Sequence, residues 1–193
     1  MNKFLKFLKD NILYLVAICL TLGAIAFFVV SIFVPIYHID YYGLLTETNT
    51  IIRSDDIGLL YAIQNFGEWF KNGRGVEYHM FIQYCFIIFV ILGLSLLSAV
   101  TSFILGFFKE KLSKKIEFVG GVFGIVTAIG GFTTVFLMVL SFSVNKLSSN
   151  DTFSFSSCKT GALAGFYLII VTGILFIFIG ALLAALSSEK NTD

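Results

Sequence analysis

The chain has 193 residues, the length of one soluble domain, but 58% hydrophobic content against 13% charged residues excludes a water-exposed fold and places it in lipid. A formal net charge of +1 removes any argument from overall charge for a nucleic-acid partner. Three cysteines, Cys19, Cys85 and Cys158, have no zinc or redox spacing.

Residues 1–11 form a basic head in which Lys3, Lys6 and Lys9 interleave with Phe4, Leu5, Phe7 and Leu8, the pattern of an interfacial turn of helix. The apolar run 12–34 follows. It is too long for the apolar core of a signal peptide and no small-x-small cleavage site comes after it, so it is expected to stay as a first span ended by Pro35.

Residues 35–79 then form a long first outer loop. Its stretch from Ser54 to Gly73 carries helix signals: Ser54 to cap free amides, Asp55 and Asp56 at the positive end, Lys71 at the negative end and Gly73 for the left-handed exit. Leu59, Ile63, Phe66 and Phe70 fall on one helical face, while Gly58 and Gly67 each oppose a helix by roughly 1 kcal/mol. A short amphipathic helix is predicted, lying on the membrane surface or on the outer ends of the spans.

A second span covers 80–108, a charged inner link 109–117, a third span 118–144, a second outer loop 145–159 and a fourth span 160–186. Basic residues crowd the head and the inner link, at Lys109, Lys111, Lys114 and Lys115. The first loop has only Arg53, Lys71 and Arg74, and the second Lys146 and Lys159. By the positive-inside tendency both termini face the cytoplasm and both longer loops face out, in a multi-pass protein of the plasma membrane. Tyr37, Tyr41, Tyr42, Tyr78 and Tyr84 gather at the loop ends as an aromatic belt. The sequence therefore predicts an all-α membrane protein, a single domain in which a four-transmembrane-helix bundle carries a long first outer loop with a short amphipathic helix.

Small residues four apart suggest close packing of helices: Gly120 and Gly124 in the third span, Gly161 and Gly165 in the fourth, and Ser98, Ser102 and Gly106 in the second. None of the four spans contains Asp, Glu, Lys, Arg or His, which argues against a proton relay, ion-coupled transport or voltage sensing. A pore lined by serine, threonine and backbone stays open. Nucleophile elbows, paired histidines at helical spacing and phosphate loops are lacking from the sequence, so neither catalysis nor a cofactor is expected.

His38 and His79 flank the first loop, with Asp40 and Glu77 near them in sequence; they could bind a divalent metal or sense pH, although a rim histidine more often anchors at the interface. Cys85 and Cys158 both fall at the outer rim, as a disulfide or as isolated thiols. Asn150-Asp151-Thr152 has the pattern of an N-glycosylation acceptor. Trp69 and Phe70, with Phe66, are the candidate anchors for a partner.

Four spans, cytoplasmic termini, a long first outer loop and a shorter second one resemble the claudin and peripheral-myelin-protein group of tetraspan proteins. Gly43-Leu44-Leu45 matches two positions of the Gly-Leu-Trp motif in that group's first loop, and the paired loop cysteines that follow the motif are missing here. The resemblance implies a small sheet in the first half of the loop, over 36–42 and 50–53, and a role in adhesion, barrier formation or as an auxiliary subunit. The expected function is a non-enzymatic membrane subunit that contacts lipids and associates with other membrane subunits or with itself, through its helices and first loop. The alternative is a small oligomeric channel or a lipid-handling protein.

Overall fold

The structure, a computed structural model, describes residues 12–43, 51–72, 76–107, 114–148 and 156–188. In chain order these form α1 (Ile12–Phe33), β1 (Tyr37–Gly43), β2 (Ile51–Ile57), α2 (Leu59–Asn72), α3 (Val76–Phe107), α4 (Lys114–Ser148), β3 (Ser156–Ala162) and α5 (Ala164–Ser188). Four of the helices contain segments long and apolar enough to cross a bilayer: Leu15–Phe33, Gln83–Leu105, Val119–Ser143 and Ala164–Ser187. The protein is an all-α multi-pass membrane protein, a four-helix bundle with a small added sheet. α3 and α4 begin before the apolar runs they contain, at Val76 and Lys114, because helical hydrogen bonding continues through polar ends that hydropathy assigns to loops.

Two compact units make up the chain, one of Met1–Phe27, Ile91–Thr134 and Val171–Asp193, the other of Phe28–Val90 and Val135–Ile170. In the first unit the backbones of α4 and α5 meet at glycine. A Cβ on Gly124 would lie 2.8 Å from the Ala184 nitrogen, and one on Gly131 2.5 Å from the Gly173 carbonyl oxygen; a Cβ on Gly180 would strike the backbone of Ala128 and Gly124. In lipid, where apolar burial gives no preference for helix over acyl chain, such close dispersion contact is what holds helices together. Hydroxyls are satisfied within the unit: Ser102 donates to the Gly120 carbonyl at 2.8 Å, and Thr127 to the carbonyls of Phe123 at 2.9 Å and Ser95 at 3.4 Å. Ser95, Thr133 and Thr134 each donate to the carbonyl four residues back. These hydroxyls are bonded to backbone carbonyls, which satisfies them inside a span.

The expectation for the fourth span needs correction. Gly161 is on β3, exposed, with nothing within 4 Å of an added Cβ, and Gly165 packs against the backbone of Val34 and Pro35 rather than against a helix. The α5 glycines that meet α4 are Gly173 and Gly180. The apolar run begins at Thr160, but hydrogen bonding to β1 holds 156–162 extended, so helical periodicity starts only at Ala164.

In the second unit α1 stops at Phe33, because Pro35 lacks an N–H and disfavours the helical conformation at Val34. β1 then pairs antiparallel with β2 on one side and β3 on the other, giving the order β2-β1-β3. Ile36 extends both ladders by a residue, its N–H bonding the Ile57 carbonyl at 2.7 Å and its carbonyl accepting from Leu163 at 2.9 Å. Ile36, Tyr37, Ile57 and Leu59 are all essentially inaccessible. Tyr37 packs edge-on to Phe166 with ring centroids 6.0 Å apart, and its hydroxyl is hydrogen-bonded to Ser141, whose own proton goes to the Met138 carbonyl at 2.8 Å. Burial pushes the Tyr37 phenol well above its ordinary pKa, opposed in part by the bond to Ser141.

Here too one expectation fails. Ser54, Asp55 and Asp56 do not start a helix: they belong to β2, and α2 begins at Leu59. The strand ladder uses the amides that Ser54 was expected to cap, and Gly58 takes the capping position, its carbonyl accepting the Ala62 N–H at 3.0 Å. Glycine suits that position because a Cβ would come within 3.2 Å of the Val34 carbonyl oxygen. The amphipathic helix itself is present, with Leu59 and Ala62 buried and Leu60 and Gln64 exposed.

Candidate functional site

Strand alternation sorts the sheet into two faces. Tyr37 and Ile57, opposite each other in register, are buried; His38 and Asp40 on β1, with Asp56 and Ser54 opposite them on β2, point the other way. His38 and Asp56 form one cross-strand pair, Asp40 and Ser54 the next. His38 Nδ1 is 2.5 Å from Asp56 Oδ1, and its Nε2 is 3.1 Å from both Asp40 Oδ1 and the Ser54 hydroxyl. Ser54 donates to Asp40 Oδ1 at 2.9 Å. Side-chain exposure is 41% for His38, 18% for Asp40 and 55% for Asp56.

The connectivity Asp56–His38–Ser54 has the order of a nucleophilic triad. Two features direct it elsewhere. The Ser54 hydroxyl donates to Asp40 Oδ1 as well as lying against the imidazole, and both ring nitrogens face carboxylate oxygens, which favours a ring that holds two protons. The hydrogen bond to Asp56 raises the His38 pKa above its ordinary value; burial is the next largest influence and opposes it, and the charges of Asp40 and Asp56 and the bond to Asp40 add to the rise. An imidazole so placed holds its second proton more tightly than a free one. Among the described residues no group of three histidine, cysteine or acidic side chains is arranged to hold a metal ion.

Asp56 also borders an open groove of about 270 Å³ between the end of α1 and the start of α2, walled by Ile32, Phe33, Pro35 and Leu60, with Gln64 as a second polar group. Phe33 is the last residue of the first span, so the groove lies at the end of an apolar segment.

Of the residues singled out by sequence, His38 is in this cluster. His79 lies in the first turn of α3 and Phe66, Trp69 and Phe70 lie on α2, but their side chains are outside the described residues. Cys85 is a buried free thiol, and Cys158 occupies the β3 position opposite Tyr41. Asn150 is outside the described residues. Asp56 and Ser54, the partners of His38, carry the local pattern of a helix cap, which hides their place on a strand. The signal that could have found them is alternation, with Ile57 apolar beside Asp56 just as Tyr37 precedes His38. In comparisons with known proteins, the chain matches no family model and no curated protein.

Proposed function

We propose that this protein is a non-enzymatic accessory or structural subunit of a plasma membrane, with cytoplasmic termini, that meets its partners through the folded element built from its two outer loops. The observation that carries this reading is the sheet: two strands from the first loop and one from the second join edge to edge and continue directly into α2. Both loops are thereby held as one recognition surface instead of two independent linkers, an arrangement suited to adhesion or to docking on another subunit. A place beside the claudin and peripheral-myelin-protein group is part of the proposal, supported by four spans with a sheet and a short helix before the second span. The glycines of α4 and α5 make their close contacts inside the chain, so lateral association falls to the lipid-facing surfaces and outward association to the region of Trp69 and Phe70.

Purification from native membranes in mild detergent, with every stoichiometric component identified, tests the reading. Co-purifying chains that are lost on changing Trp69 and Phe70 to alanine are the expected result. Covalent labelling of Ser54 by a fluorophosphonate probe would overturn the non-enzymatic assignment. The groove beside Phe33 favours lipid handling as the second reading, and a stoichiometric lipid retained by a chain without protein partners would select it.

A further inference from the structure

We infer that His38, Asp40 and Asp56 form a proton-dependent clasp between β1 and β2, closed while the imidazole carries both protons and released when it loses one. This inference is independent of what the outer element binds.

The hydrogen-bond geometry favours the doubly protonated ring. With Nδ1 2.5 Å from Asp56 Oδ1 and Nε2 3.1 Å from Asp40 Oδ1, an imidazolium donates on both sides, and the Ser54 hydroxyl, its proton given to Asp40, is free to accept from Nε2. Every polar atom in the set then has a complementary neighbour. A neutral ring has only one N–H; with it on Nδ1, the Ser54 hydroxyl can turn to donate to Nε2, but Asp40 Oδ1 then loses both of its donors in the set. At the same time the two carboxylates, on adjacent cross-strand pairs, lose the positive charge between them and repel.

The surroundings do not supply a substitute cation among the described side chains. On β1 the groups facing His38 are Asp40 and, on β2, Asp56 and Ser54; on β3 the position opposite His38 is Gly161. Lys159 stands opposite Asp40 in the β3 register, one pair along, and is the nearest basic residue by strand position. Arg53 and Asp55, on either side of Ser54 in β2, pair in register with Tyr41 and Ile39. Towards α2 the residue after Asp56 and Ile57 is Gly58, which has no side chain.

The raised pKa gives the direction. A group whose pKa is higher in the folded state stabilises that state fully below its unfolded value, about 6.5 for histidine, and the contribution fades as pH rises through the folded value. The clasp is therefore closed below about pH 6.5 and opens as pH rises through the raised value. For each unit by which the ring's pKa stands above 6.5, the opening equilibrium changes tenfold across that window.

Because the chain has only two histidines, ring-labelled histidine in the full-length, detergent-solubilised protein gives two titrating signals, and a His79→Gln variant assigns them. Amide exchange over 37–57, corrected for the intrinsic pH dependence of exchange, is followed across the same range. The expected result is a His38 signal titrating above 6.5 that moves down towards 6.5 in Asp56→Asn, with protection of 37–57 falling as that pKa is passed and becoming flat in His38→Gln. A His38 signal at the ordinary value in the unmodified protein overturns the clasp, even if Asp56→Asn fails to fold. So does protection that is indifferent to pH, or that falls equally without His38.

Discussion

Replacing Gly131 by alanine tests whether contact between the α4 and α5 backbones holds the first unit together. The new Cβ would stand 2.5 Å from the Gly173 carbonyl oxygen, 2.8 Å from the Ile177 nitrogen and 2.9 Å from the Phe176 Cβ. Two of these are backbone atoms, which cannot rotate away, so the helices must part by roughly 1 Å to restore ordinary contact. Overpacking of this kind costs about 1–3 kcal/mol, against about 1 kcal/mol gained from alanine's preference for helix. The net loss, about 0–2 kcal/mol with its centre near 1, corresponds to a fall of about 2–4 °C in Tm for each kcal/mol in a chain of this size. Gly180→Ala, which strikes Ala128 and Gly124, is expected to behave alike; Gly124→Ala, with its nearest contact at 2.8 Å, less severely; and Gly120→Ala, at 3.6 Å, hardly at all. Gly23→Ala and Gly93→Ala are the controls, since neither Cβ meets anything within 4 Å, and both should melt at or above the parent temperature. The assay is the fraction remaining as a monodisperse species on size exclusion after heating in one detergent. If Gly131→Ala and Gly180→Ala melted with the controls, or if all glycine changes were equally harmful, close backbone contact would not be what holds α4 to α5.

In the second unit, Gly165→Ala places a Cβ 2.6 Å from the carbonyl oxygens of both Val34 and Pro35, and should lower Tm as Gly131→Ala does, measured in the same way. Tyr37→Phe removes the hydroxyl bonded to Ser141 while leaving Ser141 bonded to Met138; a loss of about 0.5–1.5 kcal/mol is expected, and no change in melting would show that the bond contributes nothing. Cys85 is a buried free thiol, so a maleimide should leave it unmodified in the folded protein and modify it in SDS without reductant. If reduction were needed first, Cys85 would be disulfide-bonded.

The four spans were legible because hydropathy over about twenty residues is a one-dimensional property: a helix that satisfies its own backbone is what an apolar run of that length can be in lipid. Their ends were less so. Pro35 closes α1 by its own chemistry, whereas Val76 and Lys114 start helices in polar sequence where hydropathy gives no mark. The apolar face of α2 was readable at Leu59 from helical spacing, but Ser54 and Asp56 satisfy the rules for a cap and for a strand equally well, and only pairing with β1 decides between them.

The same holds for the site. Sequence alone determined that His38 stands at a span end beside Asp40, because neighbours along the chain are visible in it. That Asp56 and Ser54 complete the cluster, and that Gly161 lies opposite His38 on a strand instead of inside a helix, was decided by tertiary structure. Strand partners eighteen or more than a hundred residues apart leave no local signature. They are selected when burying Ile36, Tyr37 and Ile57 sets which face of β1 turns inward, and with it which side chains are left to meet outside.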